Sequence, residues 1–141
     1  MTVTENNMAL MRSAYQLVES HEFDAAEQLL TENFIANVPG SPVPLHGRGI
    51  WHQGTKIMID AFPDLKINVQ DMFGVGDKVT VLVHFEATHT GAFQQFEATG
   101  RKVSWRSVEV YRFEDGQIAE EWVAPDLLSL MQQIAPTPSG H

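Results

Sequence analysis

Two carboxylates in the last third of the chain stand where charge is out of place. From Val103 to Phe113 apolar residues alternate with polar ones, so Val103, Trp105, Ser107, Glu109, Tyr111 and Phe113 share one face of a strand. Glu109 is thereby framed by three aromatic side chains. Its chemical reading is a hydrogen-bonding partner for a substrate or a second acid; its ordinary one is a buried carboxylate paired with Arg101, Arg106 or Arg112. Asp126 follows Pro125 and opens an apolar helical stretch. There it is either an N-cap holding backbone N–H groups or an acid/base. In the second role it takes a proton from the carbon beside a carbonyl and returns one to an alkoxide, with an apolar wall raising its pKa toward working pH. If both carboxyls open onto one pocket, their titrations are coupled.

The histidines argue less for chemistry. His84 and His89 lie five residues apart on one alternating strand and so face opposite ways, and His46 and His52 lack the i, i+4 spacing of a helical zinc site. No metal is expected. His89, inward near a strand end, is either a ligand-orienting group or a satisfied structural donor. Tyr15, Trp51, Phe85, Trp105 and Trp122 point inward by periodicity, as core or as stacking partners for a flat ligand. Glu120 and Glu121 read as solvated charge at a sheet edge or dimer rim. No nucleophilic triad, phosphate-cradling glycine loop or nucleotide fingerprint is present in the sequence.

The elements that must position these residues follow from periodicity. Asp115-Gly116 supplies the two positive-φ residues of a type I′ hairpin turn, joining strands Val103 to Phe113 and Gln117 to Val123. Asn6 to Ser20 reads as an amphipathic helix carrying Tyr15. Asp24 followed by Glu27 has capping-box spacing and starts a second helix through Leu30. Phe34 to Val38 reads as a strand, and Gly47 to Phe62 as a third helix stopped by Pro63, with Gly54 weakening it by about 1 kcal/mol against alanine. Leu65 to Asp71 and Val79 to His89 alternate as strands around Gly74-Val75-Gly76-Asp77. Thr90 to Gly100 is too long for a tight hairpin and is read as a loop over the pocket. Leu127 to Ile134 is a short last helix. The plan is α+β: a curved antiparallel or mixed sheet with helices packed on its concave face, forming a conical pocket.

Composition sets the setting. The 141 residues suffice for one domain, read as 1–135 with a flexible tail at 136–141. Eighteen acidic against nine basic residues give a formal charge of −9, which repels a phosphate backbone and excludes nucleic acid as a partner. There is no cysteine, no apolar run of roughly 18 residues that would span a membrane, and no basic-then-apolar start in MTVTENN. A soluble cytoplasmic protein with a small-molecule ligand is expected.

Ala61-Phe62-Pro63-Asp64-Leu65, Thr88-His89-Thr90-Gly91, Thr99-Gly100-Arg101-Lys102-Val103, Tyr111-Arg112-Phe113-Glu114-Asp115-Gly116, and Trp122 four residues before Asp126 occur in this order. Together they resemble the SnoaL-like polyketide cyclase family, of the nuclear-transport-factor-two-like cone fold. The resemblance implies ring closure of an aromatic polyketide ester by intramolecular aldol condensation, with no metal or organic cofactor and with an aspartate as acid/base. That aspartate corresponds in position to Asp126. The family's pocket histidine, six residues before the hairpin aspartate, falls on Glu109, and its Pro-Pro ahead of Thr-Gly is Glu97-Ala98 here. The resemblance also implies a homodimer. Two other classes compete: a noncatalytic small-molecule-binding or accessory module, and an interaction module dimerising through Leu82, Val108 and Val110 on the outer sheet face.

Overall fold

The computed structural model describes residues 1–136. Of the tail expected at 136–141, residues 137–141 lie outside the described residues. α1 (Val3–Glu19) starts at a capping box: Thr2 Oγ1 accepts from the Glu5 N–H at 3.1 Å, and the Glu5 carboxylate accepts from the Thr2 N–H at 3.2 Å. Its buried face carries Met11, Ala14 and Tyr15. The box expected at Asp24 does not form. α2 (Phe23–Glu27) begins after Glu22, makes no side-chain cap, and holds Asp24 in its first turn. It also ends early, because Leu30 already pairs with Ile118 and so opens β1 (Leu30–Asn37) rather than closing a helix. β2 (Leu45–His46) and α3 (Arg48–Ala61) follow, then β3 (Lys66–Val75), β4 (Lys78–Thr88), β5 (Lys102–Glu114), β6 (Gln117–Pro125) and α4 (Leu127–Ile134).

The six strands make one curved, unclosed sheet in the order β2-β1-β6-β5-β4-β3. β1 and β6 run parallel; every other neighbouring pair is antiparallel. The hairpin between β5 and β6 turns at Asp115 (φ 48°) and Gly116 (φ 79°), the two left-handed residues of a type I′ turn. One face of β4 (Val79, Val81, Val83, Ala87) and one of β5 (Val103, Trp105, Tyr111, Phe113) are buried, as their alternation requires.

Two core clusters lie under the helices. Met11, Phe34, Val79, Val81, Val83 and Tyr111 pack beneath α1, and Phe62, Trp105, Leu130 and Ile134 pack where the end of α3 meets α4. The join between α3 and β4 explains two of the sequence motifs. Asp64 accepts from the Thr88 N–H and hydroxyl, each at 2.7 Å. The N–H groups of Thr90 and Gly91 both donate to the Ala61 carbonyl at 3.1 Å, and a Cβ on Gly91 would collide with the backbone oxygen of Asp60. The loop from Thr90 to Gly100 is not merely a cover: Phe93 bridges to Phe96 and is buried in the second cluster.

Candidate functional site

Between the concave sheet face and the helices lies a largely apolar cavity of about 430 Å³, within the range of small-ligand sites. Exposed Ile50 and Ile57 of α3 and Gln94 of the 90–100 loop mark its mouth, and buried Tyr15, Glu109, Tyr111 and Glu121 its inner end. Trp51, Phe85 and Trp105 line the wall between. Phe85 and Trp105 are paired across β4 and β5 with ring centroids 5.2 Å apart. The Trp105 Nε1–H finds no acceptor among the described residues.

Glu109 is buried without an arginine. Oε1 accepts from the Tyr15 hydroxyl at 2.8 Å and the Tyr111 hydroxyl at 2.6 Å, and Oε2 from the Ser107 hydroxyl at 3.0 Å. Three donors suit an ionised, acceptor-only carboxylate. The pairing expected with Arg101, Arg106 or Arg112 is not made: Arg112 faces outward to Glu114 and Glu120, and Arg101 bonds the Gln133 and Ala135 carbonyls. Burial, followed by the Glu109 charge, pushes the hydroxyls of Tyr15 and Tyr111 above the ordinary phenol range, so both stay protonated donors.

Glu121 faces the same space. It is 6% exposed, lines the cavity opposite Tyr111 on the neighbouring strand, and its carboxyl makes no hydrogen bond to a described residue. Burial, then repulsion from Glu109, pushes its pKa from 4.5 up to about 8. One end of the cavity therefore holds a hydroxyl-bound carboxyl, Glu109, beside a buried carboxyl, Glu121, whose proton is held more tightly than an ordinary carboxylic acid's.

Glu121, expected in solvent, lies inside, and Trp122, expected inside, faces outward, both for one reason. β5 and β6 slip register between Arg112 and Phe113: Phe113 opposes Ile118, but Arg112 opposes Glu120, leaving Ala119 as the extra residue of a bulge. Beyond it the faces exchange, so Glu121 and Val123 point in and Trp122 points out, 37% exposed beside Val108 and Val110. Glu120, also outward, pairs with Arg112 at 3.2 Å.

Of the other expected site residues, Tyr15, Trp51, Phe85, Trp105 and Glu109 line the cavity; Asp126 and His89 do not. Asp126 is exposed and caps α4, accepting from the Ser129 N–H at 3.1 Å, although its neighbours Pro125 and Leu127 reach the cavity. His89 is fully buried beside Phe62, and its Nδ1 lies 3.0 Å from Thr99 Oγ1 and accepts from the Thr99 N–H at 3.3 Å. Burial, with the Arg101 charge second, lowers its pKa and keeps the ring neutral. Away from the cavity, Asp24, Glu27 and His52 bring ligand-type atoms within 4.8 Å of one another, with the His52 ring 3.0 Å from Glu27; this contact ties α2 to α3. Among the described residues no helix is long and apolar enough to cross a membrane.

The model of the family described as SnoaL-like polyketide cyclase matches residues 9–134. No curated protein sequence matches the chain. Among solved structures, a candidate SnoaL-like polyketide cyclase from Jannaschia sp. CCS1 superposes with a TM-score of 0.90 at 20% identity, over 98% of this chain and 97% of that one. AclR, a candidate hydroxylase from Streptomyces galilaeus, gives 0.85 at 23% identity over 96% and 99%. IdmH, a candidate polyketide cyclase from Streptomyces antibioticus, gives 0.82 at 22% identity over 92% and 99%. At these identities the likeness to solved structures establishes a common fold and no shared reaction.

Proposed function

Because the chain belongs to the SnoaL-like polyketide cyclase family, we propose that it binds a small, largely apolar carbonyl compound and moves a proton on it with Glu121. The observation that carries this is a buried carboxyl with no hydrogen bond among the described residues, set beside an anchored carboxylate in an apolar cavity, where burial raises its pKa to about 8. At pH 7 roughly one-tenth of Glu121 is ionised, and that fraction is a far stronger base than an ordinary carboxylate. In the proposed cycle it takes a proton from the carbon next to a carbonyl. The enolate then attacks a second carbonyl of the same molecule, forming a C–C bond and an alkoxide, and the protonated Glu121 returns the proton to that alkoxide. The step is an intramolecular aldol closure, redox-neutral and balanced in protons, so no cofactor enters the proposal. Glu109 keeps Glu121 basic through its field and is itself held by Tyr15, Tyr111 and Ser107.

The test is deuterium exchange at the activated methylene of an aryl β-keto ester, compared among wild type, Glu121→Gln and Asp126→Asn. Glu121→Gln is expected to lower the exchange rate by at least about a hundredfold, the lower range for a general acid/base group. Asp126→Asn, altering an exposed cap outside the cavity, is expected to leave the rate within about threefold. A Glu121→Gln rate equal to wild type, or loss confined to Asp126→Asn, removes Glu121 from the acid/base role. A second reading, a noncatalytic ligand-binding or accessory module, is favoured by Glu109 standing where the resemblance places a histidine. It requires binding of the ester with no exchange in wild type.

We also propose a cytoplasmic homodimer joined through the outer sheet face, supported by the outward Val108 and Trp122, which are 48% and 37% exposed.

A further inference from the structure

We infer that the inner end of the cavity is a binding site for a protonated organic amine, its ammonium held between Glu109 and Glu121 and its apolar body against the aromatic walls. This goes beyond the catalytic reading: it concerns the same cavity but stands on binding alone, whether or not a carbonyl is turned over.

The charge balance of the cavity is open. Among the described residues that line it there are two carboxyls and no lysine, arginine or histidine. Nearby arginines are engaged elsewhere: Arg48 donates to the Leu30 carbonyl, and Arg112 pairs with Glu114 and Glu120 on the other sheet face. Buried carboxylates ordinarily have a cationic partner, and Glu109 has only neutral hydroxyls. Its Oε2, with the one donor Ser107, has room for another. Glu121 is a buried carboxyl with no hydrogen bond or ion pair to its side chain among the described residues, and it lines the space. The titratable groups facing it are Glu109 and Tyr111 on β5 and Tyr15 on α1; β1 and α3 line the cavity with none.

An alkyl- or arylammonium meets these needs together. Its three N–H donors match the open Glu109 lone pair and the two oxygens of an ionised Glu121. Trp51, Phe85 and Trp105 receive the hydrophobic body, and the rings of Tyr15 and Tyr111 beside the acids favour positive charge. A metal cation fits less well, because most of its coordination sphere would face carbon where it requires six or more oxygens. The formal charge of −9 also draws cations toward the protein. Binding is balanced as Glu121–COOH plus R–NH₃⁺ giving the ion pair Glu121–COO⁻ with R–NH₃⁺, and one proton passes to solvent.

The probe is 2-naphthylmethylamine, set against the neutral 2-naphthylmethanol and the anionic 2-naphthoate, by isothermal titration at pH 7 in two buffers of different ionisation enthalpy. The amine is expected to bind at least about tenfold tighter than the alcohol, and the naphthoate more weakly than either. About nine-tenths of a proton is expected to be released per amine bound, since Glu121 with a pKa of about 8 starts mostly protonated. Glu121→Gln is expected to cut the amine's advantage over the alcohol by at least about threefold, Glu109 keeping the remainder, while the alcohol's own affinity holds within about threefold and reports an intact cavity. An amine no tighter than the alcohol overturns the inference, as does binding without proton release, or selectivity unchanged in both Glu121→Gln and Glu109→Gln. A divalent cation displacing the amine competitively overturns it in favour of a metal. Amine selectivity without deuterium exchange leaves this inference standing and removes the catalytic one; exchange without amine selectivity does the reverse.

Discussion

Replacing Glu121 with glutamine should make the protein more stable at alkaline pH, and the size of the gain follows from the cavity. In the folded chain the Glu121 carboxyl titrates near 8, while in the unfolded chain it takes its ordinary value of 4.5. Between those values the native state holds a proton that the unfolded state has lost, so wild-type stability falls as pH rises through this window. At about 1.4 kcal/mol per pH unit, the full loss by pH 9 is on the order of 5 kcal/mol. Water entering the cavity screens part of it, which places the measured effect at about 2–5 kcal/mol. Glutamine keeps the shape and never ionises. Urea unfolding of both proteins at pH 5, 7 and 9, followed by far-ultraviolet circular dichroism, isolates the effect, because the general repulsion of a −9 chain is nearly common to both. The stability difference in favour of the variant should be small at pH 5 and grow with each step. In a Glu109→Gln background most of that growth should persist, since burial is the larger cause of the raised pKa and Glu109 the smaller. Parallel pH profiles for wild type and Glu121→Gln, within about 1 kcal/mol, would show that Glu121 is not a buried neutral acid and would take the proposed chemistry with it.

Gly91→Ala should cost about 1–3 kcal/mol in urea unfolding at unchanged m-value, because the new methyl group meets the Asp60 backbone oxygen rather than a side chain able to move; a loss under about 0.5 kcal/mol would contradict the close approach. Trp122→Glu should convert a dimer to a monomer in sedimentation equilibrium at micromolar concentration, since it sets a charge in the centre of the outward apolar patch with Val108 and Val110. A monomeric wild type, or a variant that dimerises as well, would end the outer-face reading.

The elements were legible wherever one face of the chain is buried and the pairing regular. The Asp115-Gly116 turn and the alternation of β4 and β5 put Glu109 inside correctly, because a strand whose neighbours follow the pleat has no other register available. β6 broke that rule. A bulge belongs to the pairing of two strands and not to either strand alone, so reading on from Ile118 in steps of two brings Trp122 in and puts Glu121 out. A signal was nonetheless present. Ile118 and Val123 are both apolar and lie an odd five residues apart, which one unbroken face cannot accommodate. Capping was ambiguous for a similar reason. Asp24 and Glu27 have the spacing of a box, as do Thr2 and Glu5, and only the course of the backbone decides which residue precedes the helix. The partners of Glu109 were out of reach, since Tyr15 lies 94 residues away along the chain.

The parallel pairing of β1 with β6 has a bearing on how the molecule is made. The β5–β6 hairpin closes over a two-residue turn and is cheap in chain entropy, whereas β1 must find β6 across an intervening span that includes five other elements, Leu30 opposite Ile118. During synthesis α1 can pack on β3 and α2 on α3, whereas the β1 edge that pairs with β6 stays open until the last strand is made. The seam that completes the sheet also brings Glu121 alongside the wall formed by Phe34 and Ala36. Assembly of the pocket is therefore a late event, because the wall that carries Glu121 is placed only when β6 joins β1.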